Sequence, residues 1–143
     1  MTTDYYSDEL IESNEQENDF SYAFDPTLIE QQGHSLVVIL EAKLCPNGQQ
    51  KLNTSDEKIT FKALRKIFRE QCAGAQDFLS PQHPILESAV RILLSSKTES
   101  LKLSELHSKI SALWLTSTWP RHMSKDAMRR VLDNATSFGI TRV

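Results

Sequence analysis

Residues 84–143 read PILESAVRILLSSKTESLKLSELHSKISALWLTSTWPRHMSKDAMRRVLDNATSFGITRV, and this stretch decides the fold class. Ile85-Leu86-Glu87-Ser88-Ala89-Val90-Arg91-Ile92-Leu93-Leu94 is apolar on most sides, as a central buried helix is, and Pro84 suits its N1 position. After a turn at Lys97-Thr98-Glu99-Ser100, Leu101-Lys102-Leu103 alternates like a short strand. Ser104 is read as the cap of a helix over 104–115, because Leu106, Ile110, Leu113 and Trp114 fall at i, i+4, i+7 and i+8. Thr116 to Met123 is a connecting loop. Ser124 caps a last helix over 124–138, with Met128, Val131, Leu132, Ala135 and Phe138 on its inner face; Gly139 stops it, and Ile140-Thr141-Arg142-Val143 is a terminal strand.

Helix, short strand, helix, loop, helix, strand is the order of a winged-helix domain, and residues 82–143 resemble the winged-helix/helix-turn-helix superfamily. Trp119-Pro120, Met128-Arg129-Arg130 and Gly139-Ile140 followed by Val143 are also similar to the small C-terminal modules of phage and mobile-element replication proteins. The resemblance implies a mainly α core with one or two short strands. It departs from the family in that no second wing strand follows Val143, so the last strand is expected to pair with Leu101-Lys102-Leu103. Ile59-x-Phe61-x-x-Leu64 echoes Leu101-x-Leu103-x-x-Leu106.

Upstream, Thr54-Ser55-Asp56-Glu57 has the form of a capping box that opens a helix over 56–72. Phe61, Leu64, Ile67 and Phe68 share its apolar face, and Gly74 ends it. Leu36 to Leu44 is compatible with helix or strand; Glu41-Ala42-Lys43-Leu44 favours the helix, and Cys45-Pro46-Asn47-Gly48 then reads as a turn.

Charge divides the chain of 143 residues more sharply than its net of −3 suggests. Residues 1–42 hold ten acids and no Lys or Arg, whereas residues 43–143 hold nine acids and all sixteen bases, a net of +7. Residues 1–33 are read as an acidic arm, extended or disordered, before a helical domain over 34–143 (34–80 carrying the basic helix, 82–143 the winged-helix-like part). Within the arm, Phe20, Tyr22 and Phe24 alternate with small residues and form a candidate docking segment for a protein partner or for the body itself; packing in the core is the plainer alternative.

The class of activity follows from what the chain offers. Four scattered glycines exclude a glycine-rich phosphate cradle, and His34, His83, His107 and His122 show no metal-ligand spacing. Cys45 and Cys72 make no disulfide framework, so they are expected as buried thiols of a reduced, cytoplasmic protein. No apolar run approaches the ~18 residues that span a bilayer, and the N-terminus lacks a leader pattern. Neither enzyme activity, metal nor cofactor is expected. An acidic arm on a basic body points instead to a polyanion. Lys58, Lys62, Arg65, Lys66 and Arg69 cover the polar side of the 56–72 helix and suit phosphate. Arg121, Lys125, Arg129 and Arg130 in and before the last helix suit base edges and phosphates of a DNA groove. The expected function is that of a non-enzymatic DNA-binding protein in transcription regulation or replication of a bacterial or mobile genetic element. Its alternatives are a protein–protein adaptor, or a small subunit of a nucleoprotein complex holding DNA or RNA.

Overall fold

The computed structural model describes residues 19–56 and 58–143. It is mainly α-helical, with seven α-helices and one three-stranded antiparallel sheet among the described residues.

The sheet is ordered β2-β1-β3, and its centre is the aromatic segment. β1 (Ser21–Phe24) pairs with β2 (Ser100–Lys102) through Tyr22 opposite Leu101, and with β3 (Ile140–Arg142) through Phe24 opposite Ile140. The alternation seen in the sequence is the two-residue period of a half-buried strand: Tyr22 and Phe24 turn inward while Ser21 and Ala23 stay partly open. Three backbone bonds extend the ladder past the strand ends: Leu103 N–H to Phe20 O at 2.7 Å, Val143 N–H to Ser21 O at 2.9 Å and Asp25 N–H to Gly139 O at 2.7 Å. Residues 19–33 are therefore part of the fold. This corrects the arm expected over 1–33, because burying Tyr22 and Phe24 here removes apolar surface that an arm would leave in water. The rest of that arm, residues 1–18, lies outside the described residues. Phe20, Tyr22 and Phe24 are likewise corrected as partner-binding residues: Tyr22 and Phe24 belong to the core, and Phe20 packs against it beneath the Arg142 guanidinium, 3.6 Å from its ring centre. The last strand does not pair with Leu101-Lys102-Leu103; β1 lies between them.

Short capped helices fill the region before residue 80. α1 (Pro26–Glu30) starts at Asp25, whose carboxylate accepts from Thr27 N–H at 3.0 Å. α2 (Leu36–Glu41) starts at Ser35 and buries Leu36 and Leu40, four residues apart, despite its β-branched residues. Cys45-Pro46-Asn47-Gly48 is a helix start, not a turn: Cys45 caps α3 (Pro46–Asn53) with its sulfur, and Pro46 takes N1. Thr54 ends α3 as its C-cap, so it cannot open the next helix. That helix, α4 (Phe61–Ile67), is capped by Thr60, whose hydroxyl accepts from Ala63 N–H at 3.1 Å, and it continues as a π-helical turn over Phe68–Cys72.

The second half follows the sequence pattern closely. α5 (Ile85–Ser95) begins after Pro84 and runs through the core, burying Ala89, Val90, Ile92, Leu93 and Leu94. α6 (Leu103–Leu115) buries Leu106, Ile110 and Trp114. It starts at Leu103, so Ser104 is not its cap; Asp19 substitutes from far away, accepting from Ser104 N–H and Oγ–H, both at 2.8 Å. α7 (Lys125–Asp133) is capped by Ser124 and followed by a 3-10 turn over Thr136–Phe138. That tighter turn rotates Phe138 off the expected inner face to 44% exposure. Gly139 then adopts φ 84°, and a Cβ there would meet the Phe24 ring at 2.5 Å, so both backbone and space demand glycine.

Tyr22→Ala should destabilise the fold by about 3–5 kcal/mol, and Tyr22→Phe, which keeps the ring and loses the hydroxyl with its bond to Asp133, by about 1 kcal/mol. Urea denaturation reads both; a loss below about 1 kcal/mol for the alanine variant would return residues 19–25 to the status of an arm.

Candidate nucleic-acid interface

Two groups of cations were expected to face nucleic acid, and the structure treats their arginines and lysines differently. On α4, Leu64 and Ile67 enter the core while Lys62 and Lys66 point into solvent, with Lys58 exposed just before the helix. Arg65 does not join them. It is only 6% exposed, and its guanidinium donates to Glu99 at 3.0 Å and to the Leu93 and Thr98 carbonyls at 3.3 Å. Burial pushes its pKa down, opposed by the Glu99 carboxylate and aided by Arg69. Arg69 donates from Nε to Ser96 O at 2.6 Å and pairs with Glu99 at 3.2 Å. The two arginines clamp the loop after α5. As primary phosphate ligands Arg65 and Arg69 are corrected: their long stems reach acceptors that the helix periodicity does not show. Lys62 and Lys66 line an open groove of about 710 Å³ together with Arg69 and the carboxylates Glu70 and Glu99; Lys58 lies outside it.

α7 was expected to present Arg129 and Arg130. Arg129 pairs with Asp126 at 2.9 Å and Asp133 at 3.3 Å, and Arg130 pairs with Asp126 at 2.9 Å. The Arg129 hydrogen bond holds the Asp126 carboxyl below its ordinary pKa. Asp133 also accepts from the Tyr22 hydroxyl at 2.7 Å and pairs with Arg142. Burial, then the bond to Asp133, pushes the Tyr22 hydroxyl up to about 12, so it remains a donor. The face is thus a closed acid–base ladder, in which a groove-reading arginine would first have to leave its carboxylate. Arg121 is also engaged: it donates to Pro81 O at 2.6 Å and His83 O at 2.9 Å while lying 4.6 Å over the Trp114 ring.

A division of labour results. All seven arginines hold a carboxylate or carbonyl of the chain itself, Arg91 by bonding Glu87 and Phe78 O. Of the nine lysines, Lys43 alone is ion-paired or hydrogen-bonded among the described residues. The surviving candidates are Lys58, Lys62 and Lys66 on one side and Lys125 on another. The two sets belong to different packing units, since α4 packs on α2 and α3 whereas α7 packs on α6 and β3.

The histidines remain apart: His107 Nε2 lies 2.8 Å from Met123 O, and burial, with Arg91 nearby, lowers the pKa of His83. No group of three or more metal-ligating side chains occurs among the described residues. Sequence reasoning missed two features: Leu115 and Trp119 stand 75% and 84% exposed at the α6–α7 loop, and Cys45 touches Cys72. Only the first had a sequence signal, in an aromatic next to Pro120. No helix is long and apolar enough to cross a membrane among the described residues. No protein-family model matches the chain, and no similar curated protein or solved structure was found.

Beneath these surfaces, Glu87 joins Lys43 at 2.6 Å and Arg91 at 2.8 Å. Burial acts to raise its pKa, but hydrogen bonds from both cations overcome this and hold it below the ordinary 4.5. The ionised carboxylate therefore contributes stability above pH 4.5, lost as pH falls through the depressed folded value. Glu87→Gln should cost about 1–3 kcal/mol at neutral pH and flatten the acid limb of the stability–pH curve. Parallel curves for wild type and variant would show that the three side chains are not coupled.

Proposed function

We propose that the protein is a non-enzymatic nucleic-acid-binding protein that holds phosphate backbone through Lys58, Lys62 and Lys66. The observation that carries this reading is the pair of exposed lysines Lys62 and Lys66, four residues apart on α4 beside an open groove, with Lys58 exposed just before the helix and none of the three paired with a carboxylate among the described residues. An unpaired ammonium is a point charge that attracts any phosphate, and each neutralised phosphate releases counterions. Internally paired arginines on α7 weigh against base-specific readout, so binding is tolerant of sequence. DNA is the primary ligand, and RNA within a larger nucleoprotein assembly is a variant of the same chemistry. The winged-helix reading is kept: α5, β2, α6, α7 and β3 follow that order, and β1 occupies the sheet centre where a second wing strand would otherwise be needed. A role in transcription regulation or replication of a mobile element rests on this resemblance.

A second reading, a protein–protein adaptor, is favoured by Leu115 and Trp119. Two large apolar side chains exposed close together in sequence are the kind of anchor a partner's pocket takes.

Replacing Lys58, Lys62 and Lys66 together with Gln should weaken binding of a short DNA duplex about equally for unrelated sequences. It should also reduce the slope of log affinity against log salt by roughly 2–3. Unchanged affinity and slope, measured by fluorescence anisotropy at several salt concentrations, would remove the phosphate-binding role. Loss of binding in Trp119→Ala with the lysine variant unaffected would transfer the interface to the α6–α7 loop.

A further inference from the structure

The two cysteines, 27 residues apart in sequence, meet in the core with their sulfurs 2.8 Å apart. Each is held by backbone as well. Cys45 Sγ accepts from Gly48 N–H at 3.3 Å as the cap of α3, its thiol faces Gln71 O at 3.2 Å, and Cys72 Sγ accepts from Cys45 N–H at 3.3 Å. Their elements explain the meeting. Cys72 closes the π-helical turn after α4, where one wider turn changes the direction in which a side chain leaves the helix. Gly48 leaves the space the sulfur needs, since a Cβ there would lie 2.9 Å from Cys72 Sγ. A disulfide sets its sulfurs about 2.0 Å apart, so joining these two requires a displacement under about 1 Å.

We propose that Cys45 and Cys72 form a reversible oxidation site, a dithiol that a small-molecule disulfide converts to an intramolecular disulfide without changing the fold. Cys45 retains 5% exposure and Cys72 none, which gives the order of events. Cys45 thiolate attacks the reagent RSSR, forms the mixed disulfide Cys45–S–SR and releases one RS⁻. Cys72 then loses its proton and attacks the Cys45 sulfur, releasing the second RS⁻. The balance is two protein thiols and one RSSR giving one protein disulfide and two RSH: the cysteines are oxidised and the reagent reduced. Burial, reinforced by the hydrogen bond to Cys45, pushes the Cys72 thiol up to about 12, so the second step is the slow one. The crosslink ties the start of α3 to the end of the α4 segment. It braces the element that carries Lys62 and Lys66, and it stands independently of whether those lysines bind nucleic acid.

The test uses the full chain equilibrated with glutathione at graded ratios of oxidised to reduced form. Acid quenching, alkylation and intact-mass measurement follow, in buffer and again in urea sufficient to unfold it. The native chain should form the intramolecular disulfide, 2 mass units lighter, at an effective thiol concentration roughly 100-fold above that of the unfolded chain. The oxidised protein should melt roughly 5–15 °C higher. Peptide mapping should locate the bond between Cys45 and Cys72, and Cys45→Ala and Cys72→Ala chains should not lose the 2 units. A native effective concentration equal to or below the unfolded one would overturn the proposal. So would glutathione adducts or intermolecular disulfides in place of the internal bond.

Discussion

The fold depends on the pairing of one short strand with two others that lie far from it in sequence. β1 has no free edge: β2 and β3 take both sides of it, and they reach it only after α5 and then α6 and α7 have been traversed. Tyr22 concentrates this role. Its ring is buried, its backbone sits in both ladders, and its hydroxyl reaches Asp133 on α7. Phe24 next to it stacks on Phe61 at 5.7 Å, so the same strand anchors the start of α4. Without β1, β2 and β3 would each be a three-residue strand with no partner, and such isolated pieces are not stable in water.

Two acids of the stretch expected as an arm have a structural use. Asp19 caps α6 and Asp25 caps α1, each placing a carboxylate at a helix start, where backbone N–H groups lack acceptors. Burial raises the Asp19 pKa, yet the bonds from Ser104, with Lys125 and Lys102 nearby, leave it lowered overall. Charge that the sequence presents as an acidic arm is, at these two positions, local structure.

Elements whose signals are local were legible in the sequence. Ser124 and the apolar spacing located the start of α7, and Leu106, Ile110 and Trp114 located α6; the expected end of α7 was five residues too late, because Asn134 caps the helix and Gly139 ends the separate 3-10 turn that follows. α3 was not legible, because a cysteine is an unusual cap and Gly48 within a helix is explained only by Cys72, which arrives from another element. The start of α4 was misplaced because two threonines compete for it; Thr54 loses since it already terminates α3. The echo between Ile59-x-Phe61-x-x-Leu64 and Leu101-x-Leu103-x-x-Leu106 corresponds to geometry at two of its three pairs: Phe61 and Leu103 each open a helix and Leu64 and Leu106 are fully buried, but Ile59 is exposed whereas Leu101 is buried in β2. For β1, the alternation was visible, but its central place was not, since both partner strands lie more than 70 residues away.

The same distinction between local and distant information governs the candidate interface. A helical wheel counts Arg65 and Lys66 as equal charges, but the partner that neutralises Arg65 is Glu99, 34 residues on. A guanidinium presents several donors in one plane and can satisfy a carboxylate and two carbonyls together, so it is the cation that a fold can absorb. An ammonium on a flexible stem gains less from a fixed site and keeps its hydration. Internal structure thus takes the arginines first and leaves lysines at the surface, and this sorting bears on the proposed function. Bidentate recognition of guanine needs arginine, whereas backbone attraction needs only unpaired positive charge. A chain that commits every arginine to its own stability, while Lys58, Lys62 and Lys66 have no carboxylate partner among the described residues, would under the proposed function grip a polyanion rather than read it.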